Sequence, residues 1–211
     1  MRLARLLAAA GGWPCVAGPS LPARVISEQG KSVKKIRLAL LGVMFAVSGC
    51  STMTPARYAV SVDNDMILKG YQGKTLSLAT LGAPADYDAN CRLMGPIKAS
   101  DGVTIPEFVR KAFNDEFKLA GVYGDGNAVL TGHMDKIAFS SSAGLTSGWW
   151  DLSLTLNSNN GQSLAVENKY EFKSGFDAIT ACNQTAQALG PAVQDLIKKA
   201  ISDPRFKTLM N

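Results

Sequence analysis

Residues 149–172 alternate apolar and polar positions almost one for one. Trp150, Leu152, Leu154 and Leu156 fall on one side of that register, and Trp149, Asp151, Ser153 and Thr155 on the other. Successive side chains of a strand point to opposite faces, so the pattern predicts a strand over 149–156 with one packed and one wet face. The run NSNNG at 157–161 makes the hairpin loop. Residues 164–172 then return with Leu164, Val166, Tyr170 and Phe172 inward and Ala165, Glu167, Lys169 and Glu171 outward. A strand over 128–139, entered from a Gly-rich turn at 124–127, completes a three-stranded meander. Shorter alternations at 58–62 and 74–81 predict two earlier strands, with turns at 63–65 and Gly70 between them. Residues 82–101, which include Gly95-Pro96, read as a long loop.

Two stretches carry a helical period instead. Ile105, Phe108, Val109, Ala112, Phe113, Phe117 and Ala120 share one face. Thr104 is placed to cap that helix, Pro106 suits its first turn, Glu107 favours its positive end, and Gly121 closes it. Three phenylalanines on the stripe are read as core packing rather than as a ligand box. Residues 176–201 repeat the period through Phe176, Ile179, Cys182, Ala186, Leu189, Val193, Leu196, Ile197 and Ala200, with a kink or a restart expected at Gly190-Pro191. The order of strands, helix, meander and helix predicts an α+β fold: an antiparallel sheet of four to five strands with two helices packed on one face.

The first fifty residues follow neither period. They read KKIR at 34–37, LALLGVMFAV at 38–47 and SGC at 48–50. A basic start before an apolar run of ten residues is the secretory pattern, and it is too short to span a bilayer core of about 30 Å as a lone helix. Residues 38–47 hold no polar position to mark the second face of an amphipathic core helix. Val47-Ser48-Gly49-Cys50 resembles the bacterial lipobox. That resemblance implies cleavage before Cys50 and diacylglycerol on its thiol, whose chains, at about 0.8 kcal/mol per buried CH₂, hold the protein at a membrane. Ser51 stands where Asp retains such proteins at the inner membrane of enteric bacteria, so the implied address is the outer membrane, facing the periplasm. Residues 1–32, with GGWPC, GP and LP, suit neither helix nor strand. They are read as lying upstream of a true start at Val33; the rival is a genuine extension. The expected organisation is therefore 1–32 as upstream extension, 33–49 as signal peptide, 50–57 as lipidated tether and 58–211 as one periplasmic domain.

Charge changes the picture less than its total suggests. The chain carries +5, but seven basic residues before Cys50 against the single acid Glu28 supply +6, which leaves about −1 for the rest. The domain has no run of Lys and Arg for phosphate binding, so no nucleic-acid partner is expected. Of four cysteines, none forms a CxxC or neighbours His133, the only histidine, so no metal site is expected either. The only expected cofactor-like group is the covalent lipid on Cys50. In an oxidising compartment Cys91 and Cys182 are an even pair and read most simply as a disulfide tying the 82–101 loop to the last helix; two buried free thiols are the alternative.

From Pro106 to Asn211 the chain resembles the YajG-type bacterial lipoproteins. The matching features are a helix ending in Ala-Gly-x-Tyr (120–123), a meander with an Asn-Gly turn, and a closing helix with an Asp-x-x-Phe tail (203–206). Similar layouts occur in periplasmic accessory domains such as the N-terminal domain of TolB and auxiliary subunits of transporters. The resemblance carries no catalytic residue.

Candidate chemistry is sparse. His133 and Asp135 share a strand face and invite comparison with a hydrolytic relay, but no Gly-x-Ser-x-Gly elbow accompanies them, and Ser140, Ser141 and Ser142 sit in a polar turn. Asp63 with Asp65 and Asp86 with Asp88 are DxD pairs without the Gly and terminal Glu of a calcium loop. Trp149 faces either outward, as a contact for a partner, glycan or headgroup, or beneath the 141–148 loop. Two function classes follow. The first is a non-enzymatic, membrane-anchored periplasmic lipoprotein that binds or assists an envelope protein complex. The second is a small ligand-binding or hydrolytic protein acting on cell-wall or lipid material, which needs a pocket with convergent polar groups.

Overall fold

The alternation of the meander becomes three long strands. The computed structural model describes residues 53–55 and 57–211; Val47, Ser48, Gly49, Cys50, the leader and residues 1–32 lie outside the described residues. In chain order the elements are α1 (Val62–Leu68), β1 (Leu76–Gly82), α2 (Ile105–Leu119), β2 (Ala128–Ser140), β3 (Ser147–Ser158), β4 (Ser163–Lys173) and α3 (Ala178–Ser202), followed by a 3₁₀ segment, Pro204–Met210. The strands form one sheet in the order β1-β2-β3-β4. The class is α+β, with α2 packed on β1 and α3 on β3 and β4.

The wholly antiparallel sheet expected from the pattern needs one correction. β2, β3 and β4 are antiparallel neighbours, but β1 pairs with β2 in parallel. Between β1 and β2 the chain returns through α2, and a crossover of that length delivers the next strand in the same direction as the first. Strand alternation itself carries no direction. The outer edge of β1 is occupied over its first half: Leu76 exchanges backbone hydrogen bonds with Val122 and Gly124, and the buried Asn114 amide accepts from Leu78 N–H at 2.9 Å and donates to Leu78 C=O at 3.0 Å.

Two further expectations change. Residues 58–62 form no strand and 63–65 no turn. The Ser61 hydroxyl accepts from Asn64 N–H and opens α1, so Asp63, Asn64 and Asp65 are helical. Gly190-Pro191 causes no restart: α3 is a single helix across it, and Pro191 lies on its exposed side. Other predicted caps stand. The Thr104 hydroxyl accepts from Glu107 N–H, and Gly121 follows α2 at φ +73°, a region open to glycine.

The core lies between the sheet and the two longer helices. Trp150, Leu152, Leu154 and Leu156 of β3 are fully buried, facing Leu189, Val193, Leu196 and Ile197 of α3 and Phe113 and Phe117 of α2 in one cluster. Trp150 also donates from Nε1 to the Thr185 carbonyl at 2.9 Å, which satisfies its one polar atom. In β2 a bulge between Met134 and Lys136 shifts the register, so Met134 and Ile137, three residues apart, both face inward.

Candidate functional site

The chain enters the domain along α3. Thr54 N–H donates to Asn183 Oδ1 at 3.3 Å, the Gln194 amide donates to the Ala59 carbonyl, and Asn64 Nδ2 donates to the Gln194 carbonyl at 3.2 Å. From 54 to 64 the backbone therefore advances beside α3 in the same sense as the helix. It is pinned midway by Glu116, which is fully buried on α2. Glu116 Oε1 accepts from the Tyr58 hydroxyl at 2.6 Å, from Ser61 N–H at 2.9 Å and from Asn64 Nδ2 at 3.2 Å. Burial, reinforced by the hydrogen bond to Glu116 and its charge, pushes the Tyr58 phenol well above its ordinary value. Sequence reasoning missed this cluster, although Glu116 lies four residues beyond Ala112 and three beyond Phe113, on the apolar stripe itself. A lone acid on a core-facing stripe was the available signal.

At the N-terminal end of α3 the structure brings Cys91 and Cys182 together as a disulfide, with Cα atoms 5.8 Å apart across 91 positions of sequence. The bond ties the 83–104 connection to the helix. Next to it Arg92 adopts φ +50°, a left-handed conformation uncommon for a side chain of its size. Its guanidinium donates to Ser141 Oγ at 3.1 Å and to the Phe176 carbonyl at 3.4 Å. Ser174 N–H donates to the Thr146 carbonyl at 2.8 Å, and Ser174 Oγ to the Ser141 carbonyl at 2.6 Å. Four separate segments are thereby stitched into one end of the domain.

The remaining candidates stand apart. Trp149 points to the open face of the sheet, half-buried, with Lys169 Nζ 5.5 Å from its ring centre. The lysine lies across the ring at cation–π distance. His133 is exposed on β2 opposite Thr155, while the Asp135 carboxylate accepts from the Thr155 hydroxyl at 2.7 Å. Ser140 pairs with Trp149, at the far end of β2 from the His133–Thr155 register. Asp63 forms an ion pair with Lys198 at 2.8 Å, whose hydrogen bond and charge draw its carboxyl below the usual range, and Asp65 pairs with Lys69 at 2.6 Å. Asp88 accepts from Asn90 N–H at 2.8 Å and Asp86 is exposed. Among the described residues no group of three His, Cys, Asp or Glu is arranged to hold a metal ion.

The described clefts are small and open to solvent. One of about 170 Å³ is walled by Tyr58, Phe108, Lys111 and Asp115, and one of about 290 Å³ lies between Tyr71, Lys74 and Met210. Neither is lined by His133, Trp149 or the disulfide.

No family model matches the chain, and no curated protein matches it. Among solved structures the chain is similar to the crystal structure of a protein from Xanthomonas campestris described under family model DUF330, with a TM-score of 0.40 and 13% identity, over 71% of this chain and 90% of that one.

Proposed function

We propose that the protein is a lipid-anchored periplasmic lipoprotein without catalytic activity, held at the outer membrane through Cys50, whose folded domain binds or assists an envelope protein complex, as the YajG-type lipoproteins it resembles suggest. The observation that carries this reading is the ordered set of basic start, ten-residue apolar run and Val47-Ser48-Gly49-Cys50 immediately before the folded domain. The Cys91–Cys182 disulfide is consistent with the oxidising compartment to which that leader directs a chain. Two features favour binding over turnover. His133, Asp135 and the serines that a hydrolytic relay requires are distributed along β2 without mutual hydrogen bonds. β4, eleven residues long, pairs with β3 alone among the described strands, so its outer edge offers backbone groups to an added strand.

The test is the mass of the mature protein isolated from membranes. An N-terminal Cys50 bearing diacylglycerol, lost with its membrane fraction in Cys50→Ala, is the expected result; an unmodified chain that retains its leader overturns the anchor. Affinity capture of both forms from solubilised membranes then addresses the partner. A protein retained by wild type and by Cys50→Ala alike contacts the domain surface, and loss of every partner in Cys50→Ala assigns the contacts to the anchor.

A further inference from the structure

We infer that the disulfide-bearing end of the domain is a membrane-docking surface, which seats the folded domain on the bilayer that holds Cys50. This rests on the lipid-anchor reading above and adds an orientation to it. Four apolar side chains from three separate stretches of the chain are displayed at that end. Leu93 is fully exposed, Phe176 is 78% exposed, Leu145 76% and Ile179 49%. They share one place because Arg92 binds Ser141 and the Phe176 carbonyl, Ser174 binds the 141–146 loop, and Cys91 is bonded to Cys182, one turn beyond Ile179. Leu93 follows the left-handed Arg92 in a turn fixed covalently through Cys91, so its outward position is held by a bond as well as by contacts.

The length of chain outside the structure identifies the occupant. Thr54 is bonded to Asn183, four residues or about 6 Å of helix rise from Ile179. From there the described chain runs away from this end, toward Gln194, so the tether arrives at the helix's N-terminal end. Only two residues, 51 and 52, separate Cys50 from Met53, and the three residue steps between them span about 10 Å at full extension. A lipidated Cys50 thus keeps the acyl boundary close to the end where the four apolar side chains point outward. Arg92 and Lys173 at that end are exposed cations suited to anionic headgroups; the exposed acids nearby are Asp177, its carboxylate engaged in capping α3, and Glu171, opposite Trp149 on β4. Trp149, two residues into β3, follows directly on the 141–147 loop that carries Leu145. The other exposed apolar pairs, Val62 with Met66 on α1 and Leu119 at the end of α2 with Tyr123 beside Leu76, serve as internal controls.

The experiment is amide hydrogen exchange of the lipidated mature protein, in detergent and on vesicles of phosphatidylethanolamine and phosphatidylglycerol. The expected result is exchange about tenfold slower on vesicles at 92–95, 141–147 and 174–180, with 62–66 and 119–127 unchanged. A lipidated triple variant, Leu93→Asp, Leu145→Asp and Phe176→Asp, is expected to float with vesicles yet lose that protection; all three positions are exposed, so the fold is retained. Flotation of wild type with uniform exchange overturns the docking surface while leaving the anchor intact. Protection that persists in the triple variant also overturns it. Protection seen only in native membranes, never on protein-free vesicles, replaces the bilayer with a protein partner. Absence of lipid on Cys50 by intact mass removes the anchor reading itself, and the two failures are thereby told apart.

Discussion

The two ends of α3 are finished in opposite ways. At its C-terminal end the chain folds back through Pro204–Met210 and buries Phe206, Leu209 and Met210, with Ser158 Oγ donating to the Leu209 carbonyl at 2.6 Å and Tyr71 packed edge-on against Phe206 at 5.6 Å. At its N-terminal end Phe176 and Ile179 stay in solvent, and a covalent bond secures the position. The same helix therefore shows both devices by which an end can be held. Apolar burial fixes an end and hides it. A disulfide fixes an end without covering it, which leaves the side chains there free to meet something else.

Breaking the buried end has the largest expected effect. Phe206→Ala removes a fully buried ring from a closed site and is expected to lower stability by about 3–5 kcal/mol in urea unfolding. Breaking the stapled end comes next. Cys91→Ser with Cys182→Ser is expected to cost about 2–4 kcal/mol, the usual range for the loss of such a bond, and reductant should lower the melting temperature of wild type but not of the double variant. Equal melting with and without reductant in both proteins would show that the staple does not hold this end.

Between the ends, Tyr58→Phe probes the seat of the tether. Loss of its hydrogen bond to Glu116 is expected to cost about 1 kcal/mol at neutral pH. Because the folded protein holds the phenol above its ordinary 10.0, the stability that Tyr58 contributes is whole below that pH and is lost as pH rises beyond it. Stability of wild type should therefore fall more steeply above about pH 10 than that of Tyr58→Phe, as read by unfolding curves across that range. The smallest effect sharpens the contrast: Phe176→Asp is expected to change stability by no more than about 0.5 kcal/mol, since its ring already lies in water. A loss comparable with that of Phe206→Ala would place Phe176 in the core and erase the difference between the ends.

Much of this fold was legible in the sequence where period and burial coincide. The inward set Trp150, Leu152, Leu154 and Leu156 needs no partner to be recognised, and its depth in the core follows directly. The helical stripe of 176–201 was legible from Cys182 onward, but Phe176 and Ile179, counted in it, are exposed: period assigns a face, and a face is buried only where another element covers it. α1 was illegible because seven residues are too few to show a period, and Asp63, Asn64 and Asp65 are also turn-formers. The direction of β1 was illegible because alternation looks the same read either way. The Cys91–Cys182 pair could be read from count and compartment alone. The apolar end could not, since its members are scattered over 93–179 and meet only through Arg92, Ser174 and the disulfide.

Asn114 has a consequence for growth. With Leu78 held at both its backbone N–H and its C=O by one buried amide, and Leu76 already paired with the 122–124 segment, the outer edge of β1 is occupied over its first half. An added strand of more than three residues finds a continuous partner on β4, not on β1. Two copies joined through β4 would each leave a third copy only the short Thr80–Gly82 end of β1, a contact far shorter than the eleven-residue edge already used.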